Sequence, residues 1–139
     1  MASSNRGEHY CFQYAAKFIC ASHIPGTSQT SDAVLPGNYQ TCVNIHNPHD
    51  TKFKIRMKLA ASNELISAWI TDGLVGDGVV RVTCDKIKKF ELRLIHGFEG
   101  FLVIESPCSL DVIAVYTAGG KEGVASIAVE QVKERLLCV

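Results

Sequence analysis

The chain has 139 residues, 47% of them hydrophobic, and its 14 basic residues balance its 14 acidic ones. This length suits one domain with one core and leaves no room for a second. The balanced charge excludes a global field that would attract nucleic acid or an anionic membrane.

The first two predicted strands alternate apolar and polar residues and are separated by a polar loop, 23–35, that closes with the turn pair Pro36-Gly37. The first strand covers about residues 10–21 and the second covers 38–47. The predicted core face of the first consists of Phe12, Tyr14, Ala16, Phe18 and Cys20. That of the second consists of Tyr39, Thr41, Val43 and Ile45.

The clearest pattern in the chain lies between residues 52 and 59, where cations occupy the even positions and large apolar residues the odd ones. This period of two predicts a half-buried strand whose apolar side chains face the core. The tetrapeptide Asn47-Pro48-His49-Asp50 that precedes it is typical of a turn. We therefore expect this strand to form an antiparallel hairpin with the strand before it.

The second half of the chain is predicted to continue with short strands and glycine-rich turns. Residues 62–73 and 86–96 fit either a strand or a helical turn, and both stay open. The predicted strands are 79–84, 101–106, 109–118 and 124–132, with loops at 72–78 and 119–123. The third and fourth runs, 101–106 and 109–118, are the most apolar, so we expect them to lie centrally in a sheet.

These elements predict an all-β fold of about seven to eight strands. No helical crossover long enough to connect parallel strands separates them, so the sheets should be antiparallel. We expect a single antiparallel β-sandwich of jelly-roll or immunoglobulin-like type spanning residues 1–139. Short extensions, 1–10 and 133–139, are expected beyond its core.

Five segments carry a resemblance to known proteins: Tyr14-Ala-Ala-Lys-Phe-Ile-Cys20, Asn44-Ile-His-Asn-Pro48, Val103-Ile-Glu-Ser-Pro107, Leu110-Asp-Val-Ile-Ala-Val-Tyr-Thr-Ala118 and Ser126-Ile-Ala-Val-Glu130. Together they resemble a functionally uncharacterised family of small bacterial all-β proteins. The resemblance implies an all-β fold and a bacterial origin, and it implies no activity. The chain differs from the family pattern at Ala128, where an acidic residue is typical, and in its tail with Cys138.

One candidate site is a polyanion-binding face on the cationic strand, formed by Lys52, Lys54, Arg56 and Lys58. Cations that recur along one face of a strand could follow a phosphate backbone. Phe53, however, points to the opposite face, whereas single-strand binding folds place stacking rings among their cations. We favour a solvated face with carboxylate neighbours, or a guard against edge aggregation, and expect no nucleic-acid partner.

His46 and His49 flank a predicted turn and are weak candidates for metal ligands. Cys42 lies four residues before His46 on the same strand, about 13 Å away, which is too far to share one ion. Because zinc prefers four ligands and the chain has no paired-cysteine motif, we expect no metal and no cofactor.

Other motifs that suggest chemistry lack their required context. The run Gly73-Leu-Val-Gly76-Asp-Gly78 precedes a strand, whereas a phosphate loop opens a helix. Asp72 and Asp77 lack the further oxygens that calcium requires. With six cysteines and five histidines in the chain, a chance nucleophile–histidine pair is poor support for catalysis. We expect a protein that is not an enzyme.

The six cysteines are Cys11, Cys20, Cys42, Cys84, Cys108 and Cys138. We expect the four internal ones to be reduced and packed as small hydrophobic residues. Cys11 and Cys138 lie in the terminal segments and are candidates for a cross-link between subunits.

No apolar run approaches the roughly 18 residues of a membrane span, and residues 1–9 lack the apolar region of a secretory signal. We expect a soluble cytoplasmic protein without a membrane partner, and delivery to an assembled extracellular structure stays open.

Two functions remain. The first is a non-catalytic structural or interaction module that associates with itself through its terminal segments, so that its partner is another copy. The alternative is a small ligand-binding or metal-dependent β-domain that uses loop histidines, namely His23, His46, His49 and His96.

Overall fold

The computed structural model of the chain describes residues 9–21, 37–92, 97–120 and 122–138. Within them the fold is all-β, as predicted, with two antiparallel sheets. The predicted loop 23–35, His23, Pro36 and His96 lie outside the described residues, as does most of the N-terminal extension. No helix in the described part of the chain is long and apolar enough to cross a membrane.

Nine strands in the described residues build the two sheets, one more than the seven to eight expected; seven begin and end close to the predicted positions, whereas β4 and β9 were not predicted as strands. The nine strands are β1 (Phe12–Cys20), β2 (Asn38–His46), β3 (Phe53–Ala61), β4 (Ile70–Leu74), β5 (Val79–Val82), β6 (Phe98–Ser106), β7 (Asp111–Gly120), β8 (Gly123–Gln131) and β9 (Glu134–Leu136). The five-stranded sheet has the order β4-β3-β6-β1-β9, and the four-stranded sheet has the order β5-β2-β7-β8. The apolar strands β6 and β7 are internal to their sheets, as expected.

The structure assigns the described residues of both open segments. A short 3-10 turn, Ser62–Glu64, follows β3, and β4 takes up the end of the first open segment together with Asp72 and Gly73 of the predicted loop. A 3-10 helix, Cys84–Phe90, includes residues 86–90 of the second, whose residues 93–96 lie outside the described part of the chain, and its Phe90 is buried. The predicted C-terminal extension also contains a strand, because β9 pairs with β1.

The core lies between the two sheets and follows the predicted alternation. In β1 the side chains of Tyr14, Ala16 and Phe18 are buried, and in β3 those of Ile55, Met57 and Leu59 are buried. Alternate residues of a strand point to opposite faces, so the cations of β3 project away from this core. The four-stranded sheet adds Val43, Ile45, Val112 and Ala114 to the same cluster.

The hairpin predicted between β2 and β3 is wrong, because the two strands belong to different sheets. β2 pairs with β5 and β7, whereas β3 pairs with β4 and β6. The turn after β2 instead carries the chain across the core, which lets Ile45 and Ile55 both point inward. Turn residues fix a reversal of direction but do not require the flanking strands to be hydrogen-bonded neighbours.

Candidate functional surfaces

His46 connects three segments at one end of the sheets. Its Nδ1 lies 2.8 Å from Asp111 Oδ2 at the start of β7, and its Nε2 lies 2.7 Å from Asp77 Oδ1 in the turn after β4. An ionised carboxylate only accepts hydrogen bonds, so two carboxylates at the two ring nitrogens favour the protonated, positively charged ring. The hydrogen bonds to Asp111 and then Asp77 raise the pKa of His46. We call this group the His46 clamp.

His49 makes a separate set of contacts. Its Nε2 donates to the carbonyl oxygen of Ser109 at 2.8 Å, and its ring packs edge-on against Phe53, with centroids 6.1 Å apart. The structure therefore gives the two candidate histidines different partners. Among the described residues, no group of three or more His, Cys, Asp or Glu side chains is arranged to hold a metal ion.

Asn47 holds the turns at this end together, a role that sequence reasoning did not assign to it. Its side chain is fully buried, and Nδ2 donates to the carbonyl oxygens of Thr51 at 2.9 Å and Val75 at 3.0 Å. Its Oδ1 accepts the backbone N–H of His49 at 2.9 Å. The Asn47-Pro48 pair predicted a turn from the sequence. Only the fold shows that the Asn47 side-chain amide also connects this turn to the turn after β4.

Gly76 explains how closely these turns approach one another. A side chain at this position would collide with the backbone oxygen of Asp50. Gly76, which belongs to the glycine-rich run 73–78, is therefore required by the close packing of two turns.

The cationic face is tied into the five-stranded sheet by a buried carboxylate. Arg56 donates from Nε at 3.0 Å and from Nη2 at 2.6 Å to Oε1 of Glu105, which is 6% exposed. Gln13 donates to the other oxygen of Glu105 at 2.7 Å, and Arg135 on β9 donates to Gln13 at 2.8 Å. This row crosses β3, β6, β1 and β9 and agrees with the expectation of carboxylate neighbours.

Aromatic rings lie among these cations, which corrects one step of the sequence argument. The guanidinium carbon of Arg56 lies 4.4 Å from the ring centre of Tyr10 and 4.2 Å from that of Trp69. Lys58 Nζ also lies 4.5 Å from the Trp69 ring centre. Phe53 does point to the other face, but Tyr10 and Trp69 come from outside the cationic strand. Lys52 and Lys54 are exposed, whereas Arg56 is held by its carboxylate and its rings.

The terminal cysteines are bonded to each other within one chain. The Cys11–Cys138 disulfide joins residues 127 positions apart, so in this form neither sulfur is available for the predicted cross-link between subunits. A second disulfide joins Cys20 at the end of β1 to Cys84. Of the four internal cysteines expected to be reduced, only Cys42 and Cys108 are free thiols.

Exposed apolar side chains line the edge strands β8 and β9, and others, among them Ile66, Val75 and Val79, lie elsewhere in the molecule. The exposed fraction is 65% for Ile127, 66% for Val129 and 64% for Leu136. The apolar margin, as we call this surface, consists of Ile113, Val124, Ile127, Val129, Leu136 and Leu137. Exposed apolar residues on edge strands are a candidate interaction surface.

A small cleft lies beside this margin, on the core side of β8. Its volume is about 90 Å³, and Ile19, Thr41, Tyr116, Ser126 and Ala128 are among the residues that line it. The hydroxyl of Tyr116 is buried and has no hydrogen-bond partner among the described residues. Burial, followed by the charge of Glu130, raises the pKa of Tyr116 to about 12. The cleft is therefore apolar and includes one unsatisfied polar group.

Comparison with known proteins supports the fold and carries no functional information. No protein-family model matches the chain, and no curated protein matches it. The chain is similar to the crystal structure of Thermotoga maritima 1070, with a TM-score of 0.60 and 10% sequence identity. The match covers 91% of this chain and 96% of that protein. At this identity the likeness shows a shared fold alone.

Proposed function

We propose that this protein is a non-catalytic structural or interaction module that associates with other copies of itself. The observation that carries this proposal is the apolar margin, where Ile127 and Val129 are about two-thirds exposed. Burying such side chains removes apolar surface from water, which favours association. The proposed partner is a second copy, because the margin contains a strand edge that no other described strand pairs with and that can pair with the same strand of another copy.

The contact does not need the described C-terminal segment as an exchanged arm. β9 pairs with β1 of the same chain, and Tyr14 Oη donates to Glu134 on β9 at 2.6 Å. The Cys11–Cys138 bond holds the same segment in place. We therefore move the proposed contact from the terminal segments to the apolar margin beside them.

Fold type, origin and compartment belong to the same proposal. We infer a β-sandwich of jelly-roll or immunoglobulin-like type, because two antiparallel sheets share one core. The family resemblance supports a bacterial origin. Of the two destinations left open by the sequence, the two disulfides favour an oxidising compartment outside the cytoplasm.

Size-exclusion chromatography with light scattering over a concentration series, followed by electron microscopy, tests this proposal. We expect a species larger than the 15.2 kDa monomer. Its formation should not require a disulfide between chains, so non-reducing electrophoresis should show single chains. A strict monomer at every concentration, with and without reductant, would overturn the proposal.

A further inference from the structure

Strand β8 differs from the other edges of the two described sheets in length. The edge strands β4, β5 and β9 have 5, 4 and 3 residues, whereas β8 has 9. Short edges are one way in which proteins avoid pairing with other chains. All nine residues of β8 are exposed, on both faces of the strand. Within the described residues, the long edge is therefore available for pairing with another chain.

β8 has little of the usual protection of an edge for its length, apart from one core-facing charge and a register shift in β7 opposite its beginning. Its sequence, Gly-Val-Ala-Ser-Ile-Ala-Val-Glu-Gln, contains no lysine, arginine or proline, and Glu130 is its only charge. Lysine, proline and inward charges are the residues that commonly block edge-to-edge pairing. β8 carries one charge in nine residues, Glu130 on its core-facing side, whereas β4 carries one in five, β5 one in four and β9 two in three. The long edge is thus the least protected of the four.

The register of β8 shows which of its backbone groups are free. β8 pairs with β7 so that Ala114 lies opposite Glu130 and Tyr116 opposite Ala128, and the N–H of Val132 donates to Val112. In an antiparallel pair, residues alternate between bonding to the neighbour and pointing away from it. Even-numbered residues from 126 to 132 therefore bond to β7, while Ile127, Val129 and Gln131 direct their N–H and C=O groups to the open edge.

We propose that β8 pairs antiparallel with β8 of a second copy across a two-fold axis at Ala128. This contact would join two four-stranded sheets into one sheet of eight strands. The inference rests on the proposed self-association and specifies its surface. A two-fold contact presents the same strand to itself, so one sequence must satisfy both sides.

An axis at Ala128 gives a favourable set of cross-strand neighbours. Ile127 lies opposite Val129 of the second copy, and both side chains are on the outer face. Glu130 lies opposite Ser126, whose hydroxyl can donate to the carboxylate, and the two Glu130 side chains stay apart. Apolar residues therefore lie opposite apolar residues, polar residues lie opposite polar residues, and no two like charges are directly opposite each other.

The size of the edge is sufficient for a modest dimer. Nine residues of strand extend about 30 Å, and two sheets about 10 Å apart present an edge about 20 Å high. The resulting area, about 600 Å² per copy, is at the lower end of specific interfaces. Leu136 and Leu137 belong to the same margin and enlarge its apolar part.

The side-chain test replaces Ile127 and Val129 by lysine. Four lysines would then meet across the axis, and we expect the dimer dissociation constant to rise by about tenfold or more. Val79→Lys is the matched control, because Val79 is 59% exposed on the short edge strand β5 of the same sheet. Sedimentation velocity measures association, and circular dichroism verifies that each variant is folded. Equal weakening by the control, or no weakening by the lysine pair, would overturn the role of β8.

A cross-linking test keeps the surface apolar and reports the register. In a background where the free thiols Cys42 and Cys108 are changed to serine, Ala128→Cys places two thiols at the axis. Residues opposite each other at a non-hydrogen-bonded position have Cα atoms about 4.5 Å apart, within disulfide range. We expect a covalent dimer on mild oxidation, and none from Val79→Cys.

The outcomes separate the two proposals. Self-association that persists with no Ala128→Cys cross-link refutes the β8 contact and leaves the proposed function standing. A wild-type chain that is monomeric throughout refutes both. Cross-linking together with loss of association in the lysine pair supports both.

Discussion

His46 bonds to two carboxylates through its two ring nitrogens, and this arrangement couples its charge to the position of two chain segments. The ring is about one-third exposed, and Asp77 and Asp111 are more exposed still. Solvent screens such a group, so the bonds matter more for order at this end of the sheets than for the stability of the whole fold. The two hydrogen bonds fix the orientation of the His46 ring at the end of β2.

The clamp predicts a definite pH dependence. Because the folded pKa of His46 is above its ordinary value of 6.5, the clamp contributes fully below that value and is lost as the pH rises through the folded pKa. Two-dimensional NMR of the ring protons should therefore give a titration midpoint above 6.5 in the wild type.

The matched variants are Asp111→Asn and Asp77→Asn. Each should lower the midpoint of His46, and Asp111→Asn should lower it more, because its hydrogen bond is the larger cause of the shift. A wild-type midpoint at or below the ordinary value would show that the clamp does not persist in solution.

At the scale of the single residue, the sequence identified the histidines but not their partners. Asp111 is 65 residues from His46, and Asp77 is 31 residues away. Neither distance follows from a local pattern, because each depends on which strands are neighbours. The sequence predicted that His46 and His49 lie beside a turn, but it did not predict that each contacts a different set of residues.

Strand β3 shows how one element serves two surfaces. Its odd residues fill the core, and its even residues hold Arg56 over the buried carboxylate of Glu105. A buried carboxylate that loses its cation keeps the cost of desolvation without the compensating attraction. The outer face of β3 is thus part of the structural support of the sheet as well as a basic surface.

Replacing Arg56 by methionine should therefore destabilise the protein. We expect the free energy of unfolding to fall by about 2–4 kcal/mol, measured by urea denaturation. Lys54→Met is the matched control on the same face of the same strand, and it should change stability by less than about 0.5 kcal/mol.

A second change identifies the cause. Adding Glu105→Met to Arg56→Met should restore part of the lost stability, because the isolated charge is removed. If the double variant instead has a lower free energy of unfolding than Arg56→Met, the unpaired carboxylate of Glu105 is not the cause of the destabilisation.

At the scale of the whole molecule, two disulfides join distant parts of the chain. Cys11–Cys138 fixes β9 to the beginning of β1, and Cys20–Cys84 fixes the other end of β1 to the 3-10 helix. Both bonds therefore involve the ends of one strand that lies inside the five-stranded sheet. A hydroxyl also links the two sheets. The Thr41 Oγ1 on β2 accepts a hydrogen bond from the backbone N–H of Ile19 on β1 and donates one to the carbonyl oxygen of Ile19.

Removing the terminal disulfide should cost more than removing either free thiol. A loop of 127 residues corresponds to about 4–5 kcal/mol of chain entropy, so Cys11→Ser with Cys138→Ser should lower the free energy of unfolding by that order. Hydrogen exchange should also quicken in β9. Cys42→Ser with Cys108→Ser is the control and should leave β9 protected. Unchanged exchange in the disulfide variant would show that hydrogen bonds alone hold β9.

The sequence by itself determined the all-β class, most strands and the faces they bury, because alternation is local and has a period of two. Only the tertiary structure decided that β2 and β3 lie in different sheets, that Cys11 meets Cys138 and that β8 is an open edge. These features depend on contacts between residues far apart in the chain, and a turn or a cysteine carries no local mark of its distant partner. The exposure of Ile127 and Val129 is of the same kind, since an alternating strand looks alike whether or not another strand covers it.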